Sequence, residues 1–489
     1  FIPSCFVSYH GEAMDEKTPL LRSADALDTH GKKFLELLGM PVGNVHTNIG
    51  LEQEFFLIPR ESYLERPDLQ YAGRTVMGAD AARGQEMSDH YMAPLSAASA
   101  ALGCIQDVQN QAFRLGIPLC TRHREVAPNQ FEFAPLYGSA TTQIDQNLTV
   151  MQILEETAPL YGLSALLQEK PFSNVNGSGK HNNWSIATSS GVNLFNPKHL
   201  RKAAPDNAEI FPVVMAVIVD AIDKHSDLLR MSIASPGNDF RLGACEAPPA
   251  IMTTYLGDSL TKYLSAFASG ATESYAPVMK DISLGVSTQA PLRVPAEDRN
   301  RTSPLSFGGH RFEFRAVGSS QNPSMANTCL NSLAADGFKR ACEAIEAGES
   351  PRAYASRLIK DALPRVVFNG NNYDEASQKA LVERGCLRTD SGVEATCALT
   401  KPKNIALFES LGVLTPSECA ARQSVLLSHY VGTVEIEANI FIDMVNQHVI
   451  PSIKSGRIGY QRGCLEGREM IESELAAMHA LTFRERHAH

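Results

Sequence analysis

A mixed α+β fold with a helical C-terminal region is predicted by three features of the sequence. Short segments rich in β-branched and aromatic residues alternate polar and apolar positions, as half-buried strands do. Between them lie longer stretches with apolar residues three and four apart, the period of an amphipathic helix. From about Leu330 onward only the helical pattern continues, and few residues there carry chemistry. A chain of 489 residues, 44% of them apolar, can bury the large core that such an arrangement needs.

In chain order, residues 45–58 (VHTNIGLEQEFFLI) read as a strand with one polar and one buried face. A second strand region surrounds EVAPNQFEF, and a third is HRFEFRAV from His310 to Val317. Helices are expected over Ser88–Leu115, Gln143–Gln168, Phe211–His225 and Leu256–Ser269. Further helices are expected in AADGFKRACEAIEAG, over Pro416–Val449 and over residues 463–482. Loops are expected at Arg60–Gly84, Asn174–Asn183, Ser235–Pro249 and Pro291–Gly309. The predicted division is an α+β unit over residues 1–330 and a mainly helical region over 331–489.

Composition excludes several classes of function. A formal net charge of -10 disfavours nucleic acid as a partner, because neutralising phosphates requires excess Lys and Arg. The ten cysteines are scattered with no CxxC pair, which suits reduced core thiols and a cytoplasmic location. The longest apolar run, Phe211–Ile222, passes directly into Asp223 and Lys224 and falls short of the roughly 18 residues a membrane span needs. No membrane partner is expected.

Four constellations point to chemistry. In LEQEFF, Glu52 and Glu54 are two apart on a strand and share a face, so their charges repel unless a cation lies between them. A hard divalent ion with oxygen ligands suits that position, although an isolated pair of this kind also suits a solvated strand face. In REVAPNQFEF, Pro128 interrupts the strand and lets Glu125 and Glu132 return to a common face. In RFEFR, Arg311, Glu313 and Arg315 line one face above Phe312 and Phe314. Glu313 could hold a metal there, while the guanidinium groups grip phosphate or carboxylate, although the row equally suits a structural ladder of ion pairs. The segment NVNGSGKHNNWS, Asn174–Ser185, surrounds two glycines with hydrogen-bonding groups but has neither P-loop nor dinucleotide-fold spacing.

Taken together and in order, LEQEFF, EVAPNQFEF, NGSGKHNNWS, RLGACEAP, NRTSP and RFEFR resemble the glutamine synthetase family over about Asn48–Pro323. The opening FIPSCFVSYHGEAMDEKTPLLRS, the segment GQEMSDHY and the helical tail resemble its long bacterial type III. The resemblance implies a curved antiparallel sheet flanked by helices, and ATP-dependent ligation of ammonia to L-glutamate through γ-glutamyl phosphate. It implies two or more Mg²⁺ or Mn²⁺ ions per site, one held by Glu54, Glu125 and Glu132 and another by Glu52, His181 and Glu313. Glutamate would be bound by Asn176, Gly177, Arg241 and Arg315, and ATP by Asn183, Ser185, Arg301 and Arg311. Glu246 and Arg301 would be catalytic, Glu246 as the flap residue that helps take a proton from the amine.

The family also implies a cytoplasmic dodecamer of two hexameric rings. An N-terminal β-grasp domain is expected to be largely missing here, because the chain opens at Phe1 in what reads as the middle of a folded segment. The C-terminal RERHAH likewise reads as stopping short of the family's end. A chain cut in this way is expected to keep the metal and nucleotide residues but lack the complete shared site. Three departures stand out. Asn183 occupies a position that is His in type I enzymes, Ser306 replaces an arginine, and RLGACE is one residue shorter than the family pattern. The alternatives are a γ-glutamyl ligase for another amine, or an inactive structural relative that would show eroded ligands. All six metal-binding side chains are present in this sequence.

Overall fold

The computed structural model describes residues 1–78, 99–243, 246–295, 299–455 and Ser473. Its strands are β1 (Val45–Pro59), β2 (Thr121–Arg124), β3 (Gln130–Ala134), β4 (Gly138–Ser139), β5 (Leu163–Leu166), β6 (Lys180–Thr188), β7 (Thr254–Tyr255), β8 (Met279–Ile282), β9 (Leu292–Pro295), β10 (Leu305–Phe307) and β11 (Phe312–Phe314). The helices that matter below are α1 (Lys17–Leu37), α2 (Ala140–Thr157), α3 (Ile210–Lys224), α4 (Pro236–Arg241), α5 (Ser324–Glu346), α6 (Pro351–Val366) and α7 (Pro416–Met444).

Nine strands form one sheet in the order β2-β3-β1-β6-β11-β10-β7, with β4 and β5 also pairing along β1. Strand β1 is its spine, antiparallel to β3, β4, β5 and β6. Only the β10–β7 pairing is parallel among the described neighbours. Strands β8 and β9 form a separate hairpin.

One face of the sheet is apolar. Phe55 packs against Phe133 with ring centroids 4.9 Å apart, and Phe195 meets Phe312 edge-on at 5.1 Å. Trp184, Phe312, Phe314 and Leu51 join α1, α3 and α5 in the main core, where Phe34 of α1 stacks on Phe338 of α5 at 4.8 Å. A second core under Phe55, Phe131 and Phe133 is closed by Ala100–Arg114 and α2. Gln53 points to this buried side and is satisfied there, donating to Ser319 O at 3.0 Å and accepting from Asn147 Nδ2 at 3.1 Å. Apolar burial therefore pins the register of β1, and a slip of one residue would exchange its buried row for its carboxylates.

The helical C-terminal region begins with α5, and α3, α5 and α6 pack on one another. Helix α7 starts with a capping box: Thr415 accepts from Glu418 N, and the Glu418 carboxylate accepts from Thr415 N. Among the described residues no helix is long and apolar enough to cross a membrane.

Several sequence expectations need correction. The helix expected over Gln143–Gln168 ends at Thr157, and a 3-10 turn with Pro159 then leads to Gly162 at φ 68°. Residues 163–166 are strand β5, so the break lies at that proline and glycine. The loop expected at Asn174–Asn183 is already strand β6 from Lys180, hidden in the sequence by asparagines that are rare in strands. EVAPNQFEF is not one interrupted strand. It is the tip and second arm of the β2–β3 hairpin, closed by Glu125 N donating to Gln130 O at 2.9 Å.

The remaining differences are smaller. Arg60–Gly84 contains two short helices, Arg60–Leu64 and Pro67–Ala72. Ser235–Pro249 contains α4, and Pro291–Gly309 contains β9 and β10. The helix expected from Ser88 is seen as Ala100–Arg114. Its first part, the GQEMSDHY segment, RERHAH and, apart from Ser473, the helix expected at 463–482 lie outside the described residues.

Candidate active site

The polar face of the sheet collects the acidic side chains. Directly opposed residues on neighbouring strands point the same way, and the register places Glu54 opposite Glu132 and Glu52 opposite His181. His123 of β2 lies opposite Glu132, and Glu313 of β11 lies opposite Asn183. Residues as distant in the chain as Glu52 and Glu313 thus share one surface because five strands, β1, β2, β3, β6 and β11, bring them there.

The grouping is tight. Ligand atoms lie within 4.8 Å of one another in each of four sets: Glu52, His181 and Glu313; Glu54, Glu132 and His181; His123, Glu125 and Glu132; and Glu54, Glu125 and Glu246. His181 therefore stands between the two expected trios. Its Nδ1 is 3.2 Å from Glu52 Oε2, while its Nε2 is buried without a hydrogen-bond partner.

The charges divide this cluster into two halves. On the Glu313 side positive charge is built in. Arg299 donates to Glu52 at 3.0 Å and to Glu313 at 2.6 Å, and Arg315 Nη1 donates to Glu313 Oε1 at 2.6 Å. Burial opposes ionisation of Glu52, but its bond to His181 and the charges of His181 and Arg299 hold it well below the usual carboxylate range. Glu313 is likewise held low against burial, by Arg315 and Arg299.

On the Glu54 side burial outweighs the compensation, which comes from His181, Arg241 and the Gly179 N–H. Burial pushes the Glu54 carboxyl up to about 7, with Glu125 adding repulsion. Burial and the neighbouring Glu52, Glu125 and Glu54 raise Glu132 as well. Lys180 gives no relief, because burial brings its ammonium down to about 7 and its Nζ is directed at Gln321 O.

Beside the cluster a cavity of about 600 Å³ opens, large enough for a nucleotide. Glu52, Asn183, Ser185, Tyr137, His310 and Arg311 contribute to its wall. Asn183 links cluster and cavity: its amide donates to Glu52 Oε1 at 3.0 Å and its oxygen accepts from Arg311 Nε at 2.7 Å. Arg301 stands apart from this wall and pairs with Glu246. Ser306, at the position expected to be arginine, is buried and donates to Asn300 O at 2.9 Å.

A second set of expected residues meets around Arg241. Its guanidinium is buried and donates to Val317 O at 3.2 Å and Arg315 O at 3.0 Å, leaving Nε without a partner; Arg315 Nε is unpartnered too. Gly177 and Gly179 allow this approach. A Cβ at 177 would lie 2.5 Å from Glu169 O, and one at 179 would lie 2.2 Å from Arg241 Nη2. Asn176 is buried beside them. Glu246 is held at φ 63°, a conformation rare for a residue with a side chain, and its carbonyl accepts from Arg315 Nη2 at 3.3 Å.

Sequence reasoning passed over His123 and Arg299. His123 Nε2 is 2.8 Å from Glu125 Oε1, and that bond holds its imidazole above the usual histidine range. The signal for His123 was its place two residues before Glu125 in RHRE. The signal for Arg299 was DRNR, just ahead of the NRTSP block.

What the arrangement can do follows from its donors. Carboxylates crowded around His181, whose Nε2 has no partner, suit hard divalent cations. The buried arginines suit carboxylate, and the cavity suits a polyphosphate carried by a larger group.

Comparison with known proteins gives matches of family and of fold. The family description "Glutamine synthetase, catalytic domain" matches residues 36–211, and "Glutamine synthetase C-terminal domain" matches residues 355–463. The chain is 43% identical over 458 residues to the "Type-3 glutamine synthetase" of Dictyostelium discoideum, covering 92% of this chain and 61% of that protein. It is 34% identical over 482 residues to a "Glutamine synthetase" of Butyrivibrio fibrisolvens, covering 98% of this chain and 68% of that one. Among solved structures, "GmaS/ADP complex-Conformation 1" superposes with a TM-score of 0.53 at 17% identity, covering 86% of this chain and 75% of the other, a likeness of fold. The chain thus spans about three fifths of the length of the Dictyostelium relative.

Proposed function

The chain belongs to the glutamine synthetase family, and from that premise we propose that it serves the ATP-dependent joining of ammonia to L-glutamate through γ-glutamyl phosphate, giving glutamine, ADP and phosphate. The observation that carries the reading is the convergence of Glu52, Glu54, Glu125, Glu132, His181 and Glu313 on one face of the sheet, beside a nucleotide-sized cavity whose wall includes Glu52. A ring-forming cytoplasmic dodecamer belongs to the same reading.

The residues fit Mg²⁺ or Mn²⁺. Oxygen donors predominate, His181 Nε2 lacks a partner, and burial with neighbouring carboxylates raises Glu54 and Glu132 despite the cationic groups nearby. Glu54, Glu125 and Glu132 would hold one ion, and Glu52, His181 and Glu313 another. Bound there, such ions supply positive charge that offsets the polyphosphate and the developing charge at the transferred phosphoryl group.

Each remaining task falls to a side chain. Arg311, oriented by Asn183, and Ser185 line the cavity where the nucleotide would lie, and Arg301 would reach its phosphates from the Glu246 side. Arg241 and Arg315 have buried donors for the glutamate carboxylates, against the close backbone of Asn176 and Gly177. Holding the γ-carboxylate in line with the γ-phosphorus turns an encounter into an intramolecular step. Glu246, within reach of Glu54 and Glu125, would accept the proton that ammonium must lose before it attacks. Closing that carboxylate over the site also excludes water, which would otherwise hydrolyse the acyl phosphate.

The test is γ-glutamyl hydroxamate formation from glutamate, hydroxylamine and ATP, with and without Mg²⁺ or Mn²⁺. Product is expected only with both ATP and a divalent ion, with a fall of roughly a hundredfold or more in Glu54→Ala. Turnover that needs no divalent ion, or that survives Glu54→Ala, overturns the assignment. Faster turnover with methylamine or a polyamine than with ammonia would favour a ligase for another amine.

A further inference from the structure

The helix that carries Arg241 has a second side. Asn238 and Arg241 of α4 face the site, where Arg241 Nη1 donates to Asn238 Oδ1 at 3.3 Å and Asn238 Nδ2 donates to Ala316 O at 2.8 Å. The two residues between them are tied to the C-terminal helical region. Asp239 Oδ2 accepts from Tyr430 OH at 2.9 Å and from Gly392 N at 2.8 Å, and its Oδ1 accepts from Arg230 Nη2 at 3.1 Å. Arg230 is almost wholly buried and also donates to Thr389 O at 2.7 Å and Asp390 O at 3.2 Å. Phe240 packs under Arg74, whose Cζ lies 4.0 Å from the ring centroid, and Arg74 forms a two-pronged pair with Glu437 at 2.6 Å for each bond.

Tyr430 and Glu437 both belong to α7 and are seven residues apart, two helical turns, so they lie on one face of it. That face grips α4 twice, once through Asp239 and once through Arg74 and Phe240. The fit is close: a Cβ at Gly392 would lie 2.6 Å from Asp239 Oδ2 and 3.0 Å from Tyr430 Cε2. Both contacts are buried or half-buried and charge-assisted, the kind of bond that fixes geometry.

We propose that α7 is a positioning brace for glutamate recognition: Tyr430 and Glu437 seat α4 so that the Arg241 guanidinium meets the substrate carboxylate. Neither Tyr430 nor Glu437 is among the residues assigned to substrate or nucleotide. The inference rests on the reading that Arg241 holds glutamate. It adds that the affinity of this site for glutamate, separately from its affinity for nucleotide, is set from the C-terminal region.

Calorimetric titration of the full chain with glutamate in the presence of ADP and Mg²⁺, and with ADP and Mg²⁺ alone, separates the two affinities without needing turnover. Tyr430→Phe and Glu437→Gln, each conservative in shape, are expected to raise the Kd for glutamate roughly five- to twentyfold and to leave that for ADP within about twofold. Arg241→Met is the reference and is expected to raise the glutamate Kd roughly a hundredfold or more. If Arg241→Met weakens glutamate while both brace variants match the parent, the brace is overturned. If the brace variants weaken ADP as much as glutamate, their role is general packing and the proposal also fails. If the parent binds no glutamate, or Arg241→Met binds it as well as the parent does, the underlying reading of Arg241 fails instead.

Discussion

Glu313→Ala is expected to destabilise the metal-free protein by about 3–5 kcal/mol, the cost of removing one partner from a buried ion pair. Arg315 is 1% exposed and donates to Glu313 at 2.6 Å, so the substitution strands its guanidinium in the interior, and it also takes from Arg299 one of two carboxylates. The sign with pH follows from the carboxyl being held below its ordinary value despite burial, chiefly by Arg315. Its stabilisation is full above the ordinary carboxylate pKa and is lost as pH falls through the lower folded value. The gap between parent and variant in urea unfolding should therefore be widest near neutral pH and narrow in acid. A loss below about 1 kcal/mol at pH 7.5 contradicts this electrostatic account.

Glu54→Gln, on β1 and two strand pairings away from Glu313, is expected to move stability in the other direction. Burial pushes Glu54 up to about 7 from an unfolded value of 4.5. A raised carboxyl contributes stability that is full below about 4.5 and lost as pH rises through about 7. At pH 5 parent and variant should unfold together. At pH 8 the metal-free variant should be more stable by about 1–3 kcal/mol, because a neutral amide replaces a buried charge that repels Glu125. Adding Mn²⁺ should reverse the order: an ion bound only by the native state raises the Tm of the parent, and raises that of the variant far less. Equal Mn²⁺-induced shifts would show that Glu54 is not a ligand. Opposite signs from two glutamates in one cluster follow from ion pairs outweighing burial at Glu313 and burial outweighing the nearby cations at Glu54.

The difference between the halves also explains what the sequence disclosed. Glu52 and Glu54 were legible because a strand has period two and their apolar neighbours fix which face is buried. RFEFR was legible for the same reason. The pairing of Glu54 with Glu132, and of Glu52 with His181, depends on register between strands up to about 130 residues apart, which local pattern does not encode. Glu125 and Glu132 were assigned to one face through a proline break, whereas a hairpin turn brings them together.

Strand β6 was concealed because His181 and Asn183 serve the site and Asn182 bonds to Asn327 in the core, none of them a residue of high strand propensity. Arg299 and His123 escaped for a related reason. A lone arginine in a loop and a lone histidine in RHRE gain meaning only when the fold sets them against carboxylates already under strain of charge.

Diffraction from crystals grown with Mn²⁺ and a non-hydrolysable ATP analogue, recorded for manganese anomalous signal, is the most direct test. The account predicts one peak among Glu54, Glu125 and Glu132 and another among Glu52, His181 and Glu313, both beside analogue phosphates in the cavity walled by Asn183 and Arg311. Manganese bound elsewhere, with Arg299 still bridging Glu52 and Glu313 and the analogue outside that cavity, would contradict it.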